Sequence, residues 1–483
     1  MLFNSFNFAI FLPVIFMLYW FVTNKSLKLQ NILLFVSSYF FYACWDWRFM
    51  FLLMFSTILD FVTGLKMQDA ENQSRKKFCF WLSISINLGF LAVFKYYNFF
   101  VESFVIGVSN FGITLNPMMI NIILPVGISF YTFHGLSYVI DIYHNRIEAE
   151  KNFVDYAVFV SFFPLLVAGP IERSTHLLPQ IKKERVFDYT KAVDGMRQIL
   201  WGLFKKVVIA DSCAEFANTI FSHYQDYSGS TLLLGAVFFT FQIYGDFSGY
   251  SDIALGIARL FGIELLQNFS FPYFSRDIAE FWRRWHISLS SWFRDYLYIP
   301  LGGSKGGLLI KIRNTFVIFV VSGFWHGANW TFIVWGLLNA IYFLPLLLSN
   351  KNRDNLGIVA HGKFMPSLKE FFQITTTFML TVFAWIFFRS ESLDKAFFIL
   401  KNIFSRTLFT IPSFENKILA VPCLFLLGLF LIIEWFGREH KYAIEAIAIK
   451  WSKPIRWSFY IFIIFLLGLY CKTIETPFIY FQF

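Results

Sequence analysis

The sequence is poor in charge. Only 15% of its 483 residues are Asp, Glu, Lys or Arg, against 57% hydrophobic. A soluble domain carries about 25% charged residues, so a water-soluble globule is excluded. A disordered chain is excluded too, because it needs low hydrophobicity to stay unfolded. Cysteine is scarcer still. The five, Cys44, Cys79, Cys213, Cys423 and Cys471, form no CxxC pair and lie mostly in apolar runs, so they read as small buried hydrophobes rather than a disulfide framework. No basic residue precedes the first apolar run, Met1–Val22, and a cleavable signal needs one. That run is expected to be a retained first span. GxSxG, Walker and GxGxxG signatures are missing, which leaves serine-hydrolase, nucleotide-hydrolysis and dinucleotide chemistry without support.

What is present is aromatic and apolar. Phe, Trp and Tyr make up 22% of the chain, with 67 Phe, and mean hydropathy is +0.57. Apolar runs recur near 6–22, 30–47, 49–65, 78–100, 120–142, 153–171, 195–213, 231–247, 315–347, 371–388, 417–436 and 456–471. A span needs about 20 apolar residues. The expected fold class is therefore all-α, a polytopic integral membrane protein with about ten to twelve membrane helices, the shorter runs being tilted, re-entrant or interfacial. The 315–347 run is too long for one straight span and is expected to tilt or to break at Gly323, Gly327 or Gly336. The basic surplus, 41 Lys and Arg over 31 Asp and Glu, reads as cytoplasmic loops facing anionic lipid, with a cytosolic polyanionic ligand second and no nucleic acid. Lys25 and Lys28, then Lys66, Arg75, Lys76 and Lys77, mark two cytoplasmic loops, whereas 101–120 holds no Lys or Arg. The N-terminus is then outside. Past residue 172 the basic segments are too many for a simple alternation.

Between about 245 and 313 the pattern changes to a stretch too polar for an ordinary span yet dense in aromatics. Charged groups at membrane depth need a cavity or a partner, so a central cavity is expected here. His286 stands in FWRRWHISLSSWF. On one continuous helix it would share a face with Arg283 and Ser290, and two guanidiniums would hold its imidazole neutral, the form a general base needs. The plainer alternative is an interfacial Trp/Arg/His anchor. His326 lies in VSGFWHGANWTFIVWG, an uncharged apolar run, where an ionisable side chain is a functional candidate by default; a structural histidine bonded between helices is its alternative. Asp246 and Asp252 bracket FSGYS, and either orient an imidazole, hold a cation, or cap helices. Arg276, Arg283, Arg284, Arg294, Lys305, Lys311 and Arg313 form a dense basic run, suited to the phosphates of a nucleotide-like donor or to positive-inside topology alone. No third ligand stands at metal spacing to either histidine, so no metal is expected.

Several longer stretches carry a resemblance: MLFNSFNFAIFLPVIFMLYW, LPVGISFYTFHGLSYVIDIY, FFPLLVAGPIERS, FQIYGDFSGYSDIALG, FWRRWHISLSSWFRDYLYIPLGG, FWHGANWTFIVWG and the closing FIYFQF. Together they resemble the membrane-bound O-acyltransferase (MBOAT) family, in the branch of bacterial alginate O-acetylation and its peptidoglycan and cellulose relatives. The resemblance implies one membrane domain over 1–483, with a catalytic core about 240–345 around a tunnel. It also implies that His326 and His286 are the catalytic histidines. Acetyl-CoA is the implied cytosolic donor, bound near Arg283, Arg284 and Lys305. An extracytoplasmic acetyltransferase partner, a polysaccharide acceptor and a place in the cell inner membrane are implied as well. A transporter or polysaccharide-export scaffold without chemistry is the alternative from another class, although polar residues clustered in one region fit a channel poorly. A lysophospholipid acyltransferase of the same fold is a third reading, against which the closing FIYFQF and the alginate-type motifs count.

Overall fold

The computed structural model describes residues 1–120, 123–447, 451–472 and 478–479. Of the closing motif, only Phe478 and Ile479 fall inside this set; 480–483 lie outside the described residues. All regular structure among them is helical. Among the described residues, eight helices are long and apolar enough to cross a membrane, and Phe6–Val22 is a shorter apolar one. The chain groups into two compact units, Met1–Asp188 with Ala258–Leu265, and Tyr189–Ile257 with Leu266–Phe483.

The first unit holds α1 (Phe6–Met17), α2 (Leu27–Ala43), α3 (Trp47–Gln68), α4 (Gln73–Leu91), α5 (Tyr97–Ser109), α6 (Ile128–Tyr143), α7 (Phe153–Ser161) and α8 (Ser174–Ile181). Ser5, Ser26, Asp46, Asn72 and Asn152 cap the helices they precede, each accepting a backbone N–H. That removes donors that apolar surroundings would leave unpaired. The apolar runs at 120–142 and 153–171 give no helix of 18 residues or more among the described residues. They fold into α6, with 16 residues, and α7, with 9, both almost wholly buried in protein. Hydropathy alone does not separate burial in protein from burial in lipid. Asp60 on α3 is buried as well; its Oδ1 accepts from Ser83 Oγ (2.5 Å) and Asn87 Nδ2 (2.8 Å) on α4. His134 on α6 is a structural histidine, its Nε2 accepting the Glu172 N–H at 3.1 Å.

The second unit holds α9 (Tyr189–Leu203), α10 (Asp211–Ser222), α11 (Gly229–Leu260), α12 (Ile278–Arg284), α13 (Ile287–Phe293), α14 (Leu308–His326), α15 (Trp330–Leu348), α16 (Leu368–Arg389), α17 (Leu393–Ile403), α18 (Ala420–Gly437) and α19 (Lys453–Tyr470); the last three residues of α11 run into the first unit. The most apolar window of α11 is 83% buried, against 11–44% for the other seven spans, so α11 is a core helix. Its glycines do not break it. A Cβ on Gly249 would meet the Gly202 carbonyl at 2.8 Å, and one on Gly256 the Gly195 carbonyl at 2.5 Å, so α9 and α11 touch backbone to backbone.

The long 315–347 run does break, and at one of the three expected glycines. α14 ends at His326 and Gly327 is the extended C-cap. Gly323 and Gly336 serve a different purpose. A Cβ on Gly323 would stand 2.2 Å from the Phe332 carbonyl oxygen, and one on Gly336 2.2 Å from that of Phe319. The two glycines let α14 and α15 close into a tight antiparallel hairpin. Gly336→Ala is therefore expected to destabilise by about 1–3 kcal/mol, because backbone cannot yield as a side chain can. Gly89→Ala, where a Cβ meets nothing within 4 Å, is expected to be neutral or slightly stabilising. Thermal inactivation of the purified variants checks the contrast.

Candidate active site

Both histidines stand where a helix stops. Asp277 caps α12 by accepting the Glu280 N–H at 2.7 Å, and α12 runs only to Arg284. Trp285 is extended, and His286 takes the left-handed conformation at φ 45° before α13 begins. A non-glycine residue there costs on the order of 1–3 kcal/mol and persists only when its surroundings impose it. Here they do: the Ile287 N–H donates to the Asn268 carbonyl (2.9 Å), and the Ser270 N–H to that of Arg284 (3.0 Å). The single helix expected through FWRRWHISLSSWF is thus two helices and a kink. The spacing that would have placed Arg283 and Ser290 on the face of His286 does not apply.

Asn268 fixes the imidazole. One of its side-chain atoms is within reach of the Ser288 N–H (3.3 Å), Ser288 Oγ (2.9 Å) and His286 Nδ1 (3.0 Å). A backbone N–H can only donate, so that atom is the amide oxygen and His286 Nδ1 carries the proton. Nε2 then keeps its lone pair, buried and with no hydrogen-bond partner among the described residues. Burial pushes the His286 imidazole well below the usual histidine range, so the ring is neutral as expected, by desolvation and not by the two arginines. Those are engaged elsewhere. Arg283 donates to the carbonyls of Asn352 and Asn355 at 2.9 Å each, and Arg284 binds Glu280 at 2.9 Å. Lys305 is exposed in the turn between α13 and α14.

His326, 4% exposed, closes α14 among aromatic rings: Trp325 at 4.8 Å, Trp335 at 5.2 Å and Phe388 at 5.3 Å between centroids. His286 meets Phe247 edge-on at 4.6 Å. The two imidazole centroids are 6.5 Å apart. The structure brings His286 and His326 into one aromatic chamber. Among the described residues no three His, Cys, Asp or Glu side chains converge as a metal site.

Asp246 and Asp252 neither cap helices nor reach an imidazole. Both lie inside α11 and bind lysines of the π-helical stretch Phe204–Ala210. Asp252 pairs with Lys205 at 2.6 Å, and Asp246 with Lys206 at 2.7 Å; Lys206 also holds Asp211 at 3.0 Å. Sequence reading passed over Lys205, Lys206 and Asn268. The two lysines had a signal, being adjacent charges inside an apolar run. Asn268 had none.

Fold and site together define a class: a polytopic membrane protein holding a buried pair of imidazoles. The membrane-bound O-acyltransferase profile matches residues 149–388. The chain is 37% identical over 440 residues to a protein of Azotobacter vinelandii named a probable alginate O-acetylase, covering 90% of this chain and 84% of that relative. It is 39% identical over 400 residues to a Pseudomonas aeruginosa protein of the same name, covering 82% and 73%. A peptidoglycan O-acetyltransferase of Helicobacter pylori is 36% identical over 435 residues, covering 83% and 80%. The chain belongs to the membrane-bound O-acyltransferase family, as its motifs implied, and is a multi-pass O-acyltransferase.

Proposed function

We propose that this enzyme takes acetyl groups from acetyl-CoA on the cytosolic face of the cell inner membrane and passes them outward for O-acetylation of an extracytoplasmic polysaccharide such as alginate. An extracytoplasmic acetyltransferase partner completes the transfer to the polymer. The observation that carries the reading is the pair of imidazoles, 6.5 Å apart in one aromatic chamber. An acceptor hydroxyl enters between them. His326 takes its proton while the oxygen attacks the thioester carbonyl; the C–O bond forms, the C–S bond breaks, and the thiol leaves with a proton. His286 positions the donor, its Nε2 accepting a hydrogen bond. Arg283 and Arg284 serve donor binding through the 352–357 segment whose carbonyls they hold, and Lys305 meets the donor at the mouth. The basic segments 276–313 and 351–369 support a cytosolic mouth.

One observation favours a second division of labour. Asn268 leaves His286 Nε2 with a lone pair and no proton, which suits a base and not an oxyanion donor. Single-turnover transfer separates the two: losing the base slows the chemical step with donor affinity intact, whereas losing the positioner weakens donor binding.

Sided membrane vesicles test the whole reading. Labelled acetyl-CoA supplied to the cytosolic face is expected to yield acetylated product beyond the membrane when the partner and polymer are present. Acetylation supported only by donor on the outer face would overturn it.

A further inference from the structure

Holding the kink before α13 and setting the proton on His286 are different tasks, and Asn268 serves both. It is 1% exposed and lies in the loop between α11 and α12. Its backbone carbonyl holds the kink through the Ile287 N–H. Its side-chain oxygen faces His286 Nδ1 and both donors of Ser288, and its amide nitrogen donates to Ser251 Oγ on α11 at 3.3 Å. Ser251 and Ser288 are buried as well. Turning the amide over would set its NH2 against the Ser288 N–H, donor against donor, so the oxygen stays toward the ring.

What Asn268 supplies is an acceptor without a charge. A carboxylate in its place would pair with a protonated ring and stabilise it; a carboxamide does not. The ring's other neighbours do not make up the difference. Phe247 of α11, Phe269 beside Asn268 and Trp325 of α14 pack on it as uncharged rings, with centroids at 4.6, 6.5 and 6.1 Å. His326 of α14, at 6.5 Å, is the titratable group facing it. Arg283 and Arg284 on α12 are taken up by carbonyls and by Glu280. Asp252, beside Ser251 on α11, is taken up by Lys205. An imidazolium at His286 would therefore stand buried without a counter-ion, a costly state.

We propose that Asn268 is a positioning residue for acetyl transfer: it keeps His286 neutral with Nε2 open, so that the ring accepts a hydrogen bond there and does not retain a proton. The proposal rests on the acetyl-transfer reading for the reaction served, and it leaves uptake of the hydroxyl proton to His326. A carboxamide, and not a carboxylate, is the group this task requires.

Two variants of similar size separate this from a purely structural role. Asn268→Asp keeps an acceptor toward Ser288 and His286, and it adds a charge 3.0 Å from Nδ1. That charge strengthens the hold of His286 on a proton, so Nε2 becomes a donor at neutral pH. Acetyl transfer is expected to fall about tenfold or more there and to recover as pH rises, the acid limb of the kcat/KM profile moving up by about one unit or more. Asn268→Leu removes the acceptor and is expected to lower kcat about 10²-fold or more without moving that limb. Where Asn268→Leu does not fold, Asn268→Asp alone decides. Solid-state NMR of the full-length protein in lipid bilayers, with isotope-labelled histidine, reads each ring nitrogen without any transfer assay; the His286→Asn spectrum identifies the signals of His286. Wild type is expected to show a neutral ring protonated at Nδ1, Asn268→Asp an imidazolium at neutral pH, and Asn268→Leu a mixture of tautomers. A neutral His286 and a wild-type pH profile in Asn268→Asp overturn the proposal and reduce Asn268 to a prop for the kink. An imidazolium with an unmoved profile overturns it as well, because the state of His286 then has no bearing on transfer. If the spectra follow expectation but wild type transfers no acetyl, the proton assignment stands and the acetyl-transfer reading falls. If wild type transfers acetyl with His286 protonated at Nε2, the reading stands and the role given to Asn268 falls.

Discussion

Replacing His326 with alanine is expected to lower acetyl transfer by about 10²–10⁴-fold while the protein remains monodisperse. The ring ends α14 and touches aromatic neighbours on α15 and α16. Its loss opens a gap among aromatic rings and leaves α14 and α15 with their glycine contacts. His286 needs more care, because alanine in the left-handed region adds strain of its own. Asparagine tolerates that conformation, so His286→Asn keeps the kink and removes the imidazole. Its activity is expected to fall as far as that of His286→Ala, with better yield. Residues that act as one unit lose activity non-additively, so the double variant His286→Asn/His326→Ala is expected to be little worse than the poorer single. Acetylated product per molecule of folded enzyme is the measurement. Near-normal specific activity in folded His326→Ala would remove the histidine from the chemistry.

Those two histidines were legible in the sequence because an ionisable side chain in an apolar or aromatic run is costly and therefore conspicuous. The break at Gly327 was legible too, since no straight helix that long fits a bilayer. The kink at His286 was not. Helical spacing assumes a continuous helix, and nothing in FWRRWHISL announces that Trp285 turns extended and His286 left-handed. That reversal decided which groups face the imidazole: Asn268, eighteen positions earlier, and not Arg283. The glycines of FQIYGDFSGYSDIALG are ambiguous in sequence for a related reason. A glycine can break a helix or let another backbone touch it, and only the partner, here Gly195 and Gly202, tells which. The fate of Asp246 and Asp252 likewise depended on lysines some forty residues away, a pairing that local pattern does not carry.

That pairing yields the second large effect. Lys206 is 7% exposed and lies between Asp246 (2.7 Å) and Asp211 (3.0 Å), both buried. Lys206→Met leaves two carboxylates facing each other without a cation, and breaking a buried pair in this way costs about 3–5 kcal/mol. Asp246→Asn is expected to cost less. It removes one acid, leaves Lys206 with Asp211, and keeps an amide oxygen to accept the Ile479 N–H that Asp246 now accepts at 2.6 Å. Adding Asp246→Asn to Lys206→Met then recovers part of the loss, because it removes one of the two stranded charges. The order follows from counting charges: wild type above Asp246→Asn, the double variant next, Lys206→Met last. Unfolding of such a protein in detergent is read as a rate, so the half-life of the monodisperse species at one elevated temperature is the measurement. A double variant shorter-lived than Lys206→Met would mean that Asp246 stabilises the unit through the Ile479 amide or α11 itself, and not through Lys206.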